Sequence, residues 1–200
     1  MKKKINPVLV FVLFLVGMPI ISVAVLAMTG SFETKELPVL GLVPDFSLTE
    51  RSGETYGTSQ LKGKVWVAGF IFTSCAMQCP IITSKLQRVQ NKFRFKDNWR
   101  AVAFTTDPER DTQQVLKDYA VKVNADPYKW LFLTGDKGVM GKLISGGFRL
   151  SSDADNPTIH SEKLVLVDHL SRIRGYYDAN EDKAVDQLIK DTKGLLKKAY

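Results

Sequence analysis

The run Lys64-Val65-Trp66-Val67-Ala68-Gly69-Phe70-Ile71-Phe72, followed directly by Thr73-Ser74-Cys75-Ala76-Met77-Gln78-Cys79-Pro80, carries the clearest fold signal in the chain. Its first part is almost continuously apolar and rich in β-branched and aromatic residues, the pattern of a strand buried on both faces. After Pro80 the period changes. Ile82, Leu86, Val89 and Phe93 recur at helical spacing and share one face. Pro80 suits the first turn of that helix, where a missing N–H removes no intrahelical bond. Cys75 and Cys79 therefore stand at a strand-to-helix junction.

A Cys-x-x-x-Cys pair at a helix start has three chemical consequences. The helix N-terminus stabilises a thiolate. The two sulfurs can form a disulfide if the intervening turn bends correctly. Two thiolates also form a soft site that favours Cu(I). Two buried, inert cysteines are the plain alternative. The mouth expected at a strand–helix junction counts against it.

Further along the chain, Pro44–Leu48 reads as a short strand and Glu50–Glu54 as a turn. Trp99–Thr105 reads as a strand. Thr112–Val123 reads as a helix with Val115, Leu116, Tyr119 and Val123 inward. Trp130–Leu133 is a short strand and Val139–Ser145 a short helix. Lys163–Val167 and Ile173–Tyr177 form a hairpin across Asp168–Arg172. Glu181–Lys198 is a final amphipathic helix with Ala184, Val185, Leu188, Ile189, Leu195 and Leu196 on its apolar face. This βαβα-ββα order predicts an α/β fold with a central mixed sheet and flanking helices. The thioredoxin fold has this order, with its reactive thiols where Cys75 and Cys79 stand.

The chain begins differently. Pro7–Met28 carries no charge and matches the roughly 20 residues a helix needs to cross a bilayer. Residues 1–28 read as a membrane anchor, with a cleavable signal ending near Val25-Leu26-Ala27 as the alternative. Lys2–Lys4 precede the span and belong on the cytoplasmic side. That orientation puts the remainder outside, in the periplasm of a Gram-negative cell. Residues 29–43 read as a tether, and residues 44–200 as the folded domain. The formal charge is +7, three units of which are Lys2–Lys4. The other lysines are scattered, so no basic stripe for nucleic acid is present.

Two thiolates leave a metal wanting a further ligand, and the chain has two histidines, His160 and His169. His160 precedes the strand Lys163–Val167, in a loop expected beside the thiols. His169 follows that strand, at the end expected to point away. His160 is therefore the ligand candidate. Met77, between the cysteines, has a soft sulfur but reads as a flexible gap-filler. Asp107 is a weak candidate for orienting a ligand or partner. Asp111 reads as the cap of the helix starting near Thr112, and Arg110 as an ordinary surface or ion-pair residue.

Phe72-Thr73-Ser74-Cys75-(x)3-Cys79-Pro80 resembles the copper motif of the Sco/SenC family. Thr106-Asp107-Pro108-Glu109-Arg110-Asp111-Thr112 is similar to a second signature of that family. Trp130-Leu131-Phe132-Leu133-Thr134-Gly135 and Ile159-His160-Ser161 are similar to two more. The match runs from about Pro44 to the C-terminus. The resemblance implies a thioredoxin-like fold, a single membrane anchor, and copper, as Cu(I) or Cu(II), bound by Cys75, Cys79 and His160. It also implies copper delivery to the copper-site subunit of cytochrome c oxidase or to another copper chaperone. Two positions depart from the family pattern: Ala76 stands where many members have Pro, and His169 follows Asp168 where Pro is frequent. A thiol–disulfide oxidoreductase acting on a partner's cysteines is the rival reading, since the same thiols serve both. A copper-responsive signalling protein is a third.

Overall fold

Alternation along one strand sorts the molecule into two layers. In the computed structural model, β4 (Val65–Ile71) is buried at every position. Val65, Val67 and Ile71 enter one hydrophobic core, while Trp66, Ala68 and Phe70 enter the other. This is the period of a strand with both faces covered. The structure describes residues 36–75, 78–150 and 162–198, together with residue 11 and residues 14–18, which are helical. Among the described residues no helix is long and apolar enough to cross a membrane. Most of the expected anchor lies outside them.

Residues from Leu37 onward form one compact unit. Its elements are β1 (Gly41–Leu42), β2 (Ser47–Glu50), β3 (Thr55–Gly57), α1 (Thr58–Leu61), β4, α2 (Gln78–Phe93) and β5 (Trp99–Thr105). They continue with α3 (Gln113–Lys122), β6 (Trp130–Thr134), α4 (Lys137–Lys142), a π-helical turn (Leu143–Gly147), β7 (Lys163–Val167), β8 (Arg172–Asp178) and α5 (Asp182–Lys198). The strands make one mixed sheet in the order β1-β8-β7-β4-β5-β6-β2-β3. β4, β5 and β6 are parallel, and β7 runs antiparallel to β4. With helices on both faces, this is a thioredoxin-like α/β fold.

One core lies between the sheet and α2, α3 and α5, and includes Ile82, Leu86, Leu116, Val185 and Leu188. The other lies beneath α1 and α4, where Phe104 and Phe148 pack edge and face with Phe70 and Trp66. Gly69 lets α2 press close to the sheet. A Cβ there would stand 2.7 Å from Leu86 Cδ1.

The structure departs from the sequence reading in several places. The strand read at Pro44–Leu48 lies at Ser47–Glu50, so Glu50 belongs to the strand and not to the turn. Gly41–Leu42, in the stretch read as a tether, forms the edge strand β1 and pairs with Ile173 and Arg172. Thr55–Gly57 pairs with β2 as a hairpin. Val115, expected inward, is exposed, and Ala120 is buried instead. Leu116, Tyr119, Ala120 and Val123 share an i, i+3, i+4, i+7 stripe that leaves Val115 at its border.

Candidate metal and redox site

β4 ends at Ile71, and the chain turns through Phe72, Thr73 and Ser74 to Cys75. The helix α2 then starts at Gln78, so Cys79 and Pro80 both lie in its first turn. Cys75 is half-buried and Cys79 fully buried, and no disulfide joins them. The backbone N–H of Cys79 donates to Cys75 Sγ at 3.4 Å. Cys75 thus receives one of the N–H groups that a helix N-terminus leaves without an intrahelical partner. The Phe72 N–H donates to Cys79 Sγ at 3.3 Å. The donor aimed at Cys79 Sγ favours its anionic form.

Burial dominates at Cys79 and pushes its thiol up to about 12. The Phe72 N–H pulls the other way, while Cys75 and the charge of Asp111 add to the rise. Metal-free Cys79 is therefore a protonated thiol at neutral pH, and a metal must displace that proton.

A groove of about 270 Å³ leads to Cys75, lined by Pro80 and Thr83 of α2, by Thr73, and by Tyr119 and Lys122 of α3. Thr83 Oγ1 donates to the Cys79 carbonyl at 2.8 Å and lies 3.5 Å from the Tyr119 hydroxyl. Burial raises the Tyr119 phenol above its ordinary value. Of the two sulfur-bearing residues, Cys75 lines this groove and buried Cys79 does not.

The Asp111 carboxylate underlies the turn. It accepts from the Thr73 N–H at 3.1 and 3.2 Å, from Thr73 Oγ1 at 2.5 Å and from Thr105 Oγ1 at 2.6 Å. It is not the helix cap expected from sequence. That role belongs to Thr112, whose side chain accepts from the Val115 N–H at 3.4 Å. The sequence reading missed this bracing residue, because its partner Thr73 is 38 positions away. Its place in the Thr106–Thr112 signature was the one available signal. Asp107 lies in the same turn, and its carboxylate pairs with Arg110 at 3.4 Å. It meets the bracing network through its backbone N–H, which donates to Thr105 Oγ1 at 3.0 Å.

His160, Ala76 and Met77 lie outside the described residues. Among the described residues, no three of His, Cys, Asp and Glu come together as a metal-holding group. The pairing of Ala68 with Val165 and of Trp66 with Val167 sets the start of β7 toward the thiol end of β4. His169 is at the other end, where its carbonyl accepts from the Gly63 N–H ahead of β4.

The SCO1/SenC family model matches residues 35–197. The chain belongs to the SCO1/SenC family. Among related Sco proteins, the SCO2-like protein of Rickettsia felis is 30% identical over 190 residues, covering 86% of this chain and 91% of its own. A Stutzerimonas stutzeri protein named for copper binding is 29% identical over 150 residues, 72% of each chain. The structure of BsSco, a member of the Sco family of cytochrome c oxidase assembly proteins in which a disulfide switch was identified, superposes with a TM-score of 0.71. It is 27% identical, covering 81% of this Sco/SenC chain and 98% of BsSco.

Proposed function

We propose that this chain is a copper-binding metallochaperone for cytochrome c oxidase assembly. It holds copper with the thiolates of Cys75 and Cys79 and the imidazole of His160. It passes the metal to the oxidase's copper-site subunit or to another copper chaperone. The observation that carries this reading is the thiol pair at the start of α2, with a backbone N–H donating to each sulfur. Two soft donors side by side, with a proton to be displaced from Cys79, suit copper better than a hard cation. BsSco and the S. stutzeri protein support the same cargo and destination. The antiparallel register of β4 and β7 supports His160 over His169 as third ligand.

Reduced protein binds about one copper, and the disulfide form binds poorly because both thiolate ligands are lost. In His160→Ala, Cu(II) affinity falls steeply and Cu(I) affinity less, since Cu(I) tolerates two thiolates alone. His169→Ala leaves both unchanged. The test is copper titration of both variants beside oxidase activity in cells. Normal oxidase assembly with His160→Ala would sink the chaperone reading. Residues 1–28 tether the domain on the outer side of the inner membrane. Protease added to spheroplasts then digests the domain of a membrane-bound protein, and a protected, soluble protein would refute that topology.

The asymmetry of the pair favours one second reading, a thiol–disulfide oxidoreductase. Half-exposed Cys75 would attack a partner disulfide to form a mixed disulfide. Buried Cys79 would then displace the partner's thiol, closing a Cys75–Cys79 disulfide and leaving two electrons on the partner. This exchange survives His160→Ala, which separates the two readings.

A further inference from the structure

Asp111 is 1% exposed, and among the described residues every donor to its carboxylate is neutral: the Thr73 N–H and the hydroxyls of Thr73 and Thr105. Both oxygens are engaged by these donors. A buried anion without a cationic partner is costly. Stability alone would have been served by an arginine, as it is at Asp168, where Arg172 and Arg174 each donate at 2.8 Å. Helix capping is already supplied by Thr112. The uncompensated charge sits one peptide from the sulfur site, since Thr73 N–H bonds the carboxylate and Phe72 N–H bonds Cys79 Sγ.

Charge counting gives this anion a direction. When Cu(II) displaces both thiol protons, the dithiolate and metal together are neutral. When Cu(I) does so, the pair carries one net negative charge. A fixed anion nearby opposes the second state and leaves the first nearly untouched. We propose that Asp111 is a positioning residue that also tunes the site, its buried charge favouring Cu(II) over Cu(I) at the Cys75–Cys79 pair. The inference rests on the copper-binding reading above. It adds that the oxidation state held is biased by a residue that does not touch the metal.

The test measures Cu(I) and Cu(II) affinities, each against a competing chelator, on the folded protein. Wild type, Asp111→Asn and Thr105→Val are compared, with thermal unfolding as a check on folding. Asp111→Asn removes the charge, and the ratio of Cu(I) to Cu(II) affinity rises about tenfold or more, equal to about 59 mV in the one-electron couple per factor of ten. Thr105→Val keeps the charge and removes two hydrogen bonds, the one Thr105 Oγ1 donates to Asp111 and the one it accepts from the Asp107 N–H. It lowers both affinities together and leaves their ratio within about twofold. A purely structural carboxylate would lower the unfolding temperature without moving the ratio. If Asp111→Asn does not fold, Asp111→Ser removes the same charge while leaving room for a water on the orphaned donors. An unchanged or lowered ratio in the folded charge-neutral variant overturns the inference, as does an equal shift in Thr105→Val. Failure of wild type to bind copper at all instead overturns the copper-binding reading.

Discussion

Two aspartates, each 1% exposed, stand at opposite ends of the same sheet and are treated in opposite ways. Asp168, in the turn between β7 and β8, is surrounded by cations and N–H groups. It accepts from Arg172 and Arg174 at 2.8 Å and from the backbone N–H groups of Leu170 and Arg172 at 3.0 Å. Arg174 in turn donates to the carbonyls of Pro38 and Leu37, fastening the segment before β1 to the sheet. Among the described residues Asp111 has only neutral donors, and it lies under the turn that leads to Cys75. The charge is balanced where the molecule needs cohesion. It is left unbalanced where the thiols work, the kind of local conflict expected at a functional site.

The largest effect expected from this contrast is on stability. Asp168→Ala leaves the buried Arg174 cation without its carboxylate and costs about 3–5 kcal/mol. Thermal unfolding reads this as a drop of roughly 10 °C for a domain of this size. Copper affinity per folded molecule stays unchanged. A fall in copper affinity would mean that the two ends are coupled.

At the thiol end the pattern reverses. Cys75→Ser removes a proposed copper ligand from a half-exposed position. Copper affinity falls more than about 100-fold, beyond the 10–100-fold loss typical of outer-shell partners. Stability changes by less than about 1 kcal/mol, since the replacement is nearly isosteric and half-exposed. Copper titration and chemical denaturation of the same sample check both halves.

The two ends also answer to opposite extremes of pH. Burial raises the Cys79 thiol from 9.0 to about 12, so between these values the folded protein holds a proton that the unfolded chain has released. Metal-free stability is fully present below pH 9.0 and declines as pH rises toward about 12. Copper affinity moves the other way and tightens as pH rises, because binding releases thiol protons. At Asp168 burial pushes the carboxyl up, but the bonds from Arg174 and Arg172 outweigh it and hold the group below its ordinary 3.8. Its contribution is present above 3.8 and is lost as pH falls through the depressed value. Denaturation curves collected across pH, with Asp168→Ala and Cys79→Ser as references, separate the two. Each reference should flatten one limb only.

The smallest expected effect belongs to Asp107. Its carboxylate faces Arg110, whose side chain is 77% exposed, at 3.4 Å. Asp107→Asn changes stability by about 0–1 kcal/mol, as for other solvent-screened pairs. It leaves the Cu(I) to Cu(II) ratio where it was. A ratio shift as large as that of Asp111→Asn would move the tuning charge from Asp111 to its neighbour.

What could be read from the sequence was what local pattern encodes. The apolar run Lys64–Phe72, the helical spacing of Ile82, Leu86, Val89 and Phe93, and the hairpin around Asp168–Arg172 all reappear as β4, α2 and the β7–β8 pair. Each depends on residues within a few positions of one another, where backbone period and side-chain burial are directly linked. The junction that holds Cys75 and Cys79 followed from two such patterns meeting. Tertiary structure alone decided the rest. It paired Gly41–Leu42 with β8, turned Val115 outward, and set the Asp111 carboxylate under Thr73, 38 positions away, and beside Thr105. The sequence around Asp111 reads equally well as a helix start. Only the close approach of the β4 and β5 ends makes burial of that carboxylate possible, because a lone aspartate enters the interior only where donors from distant segments converge on it.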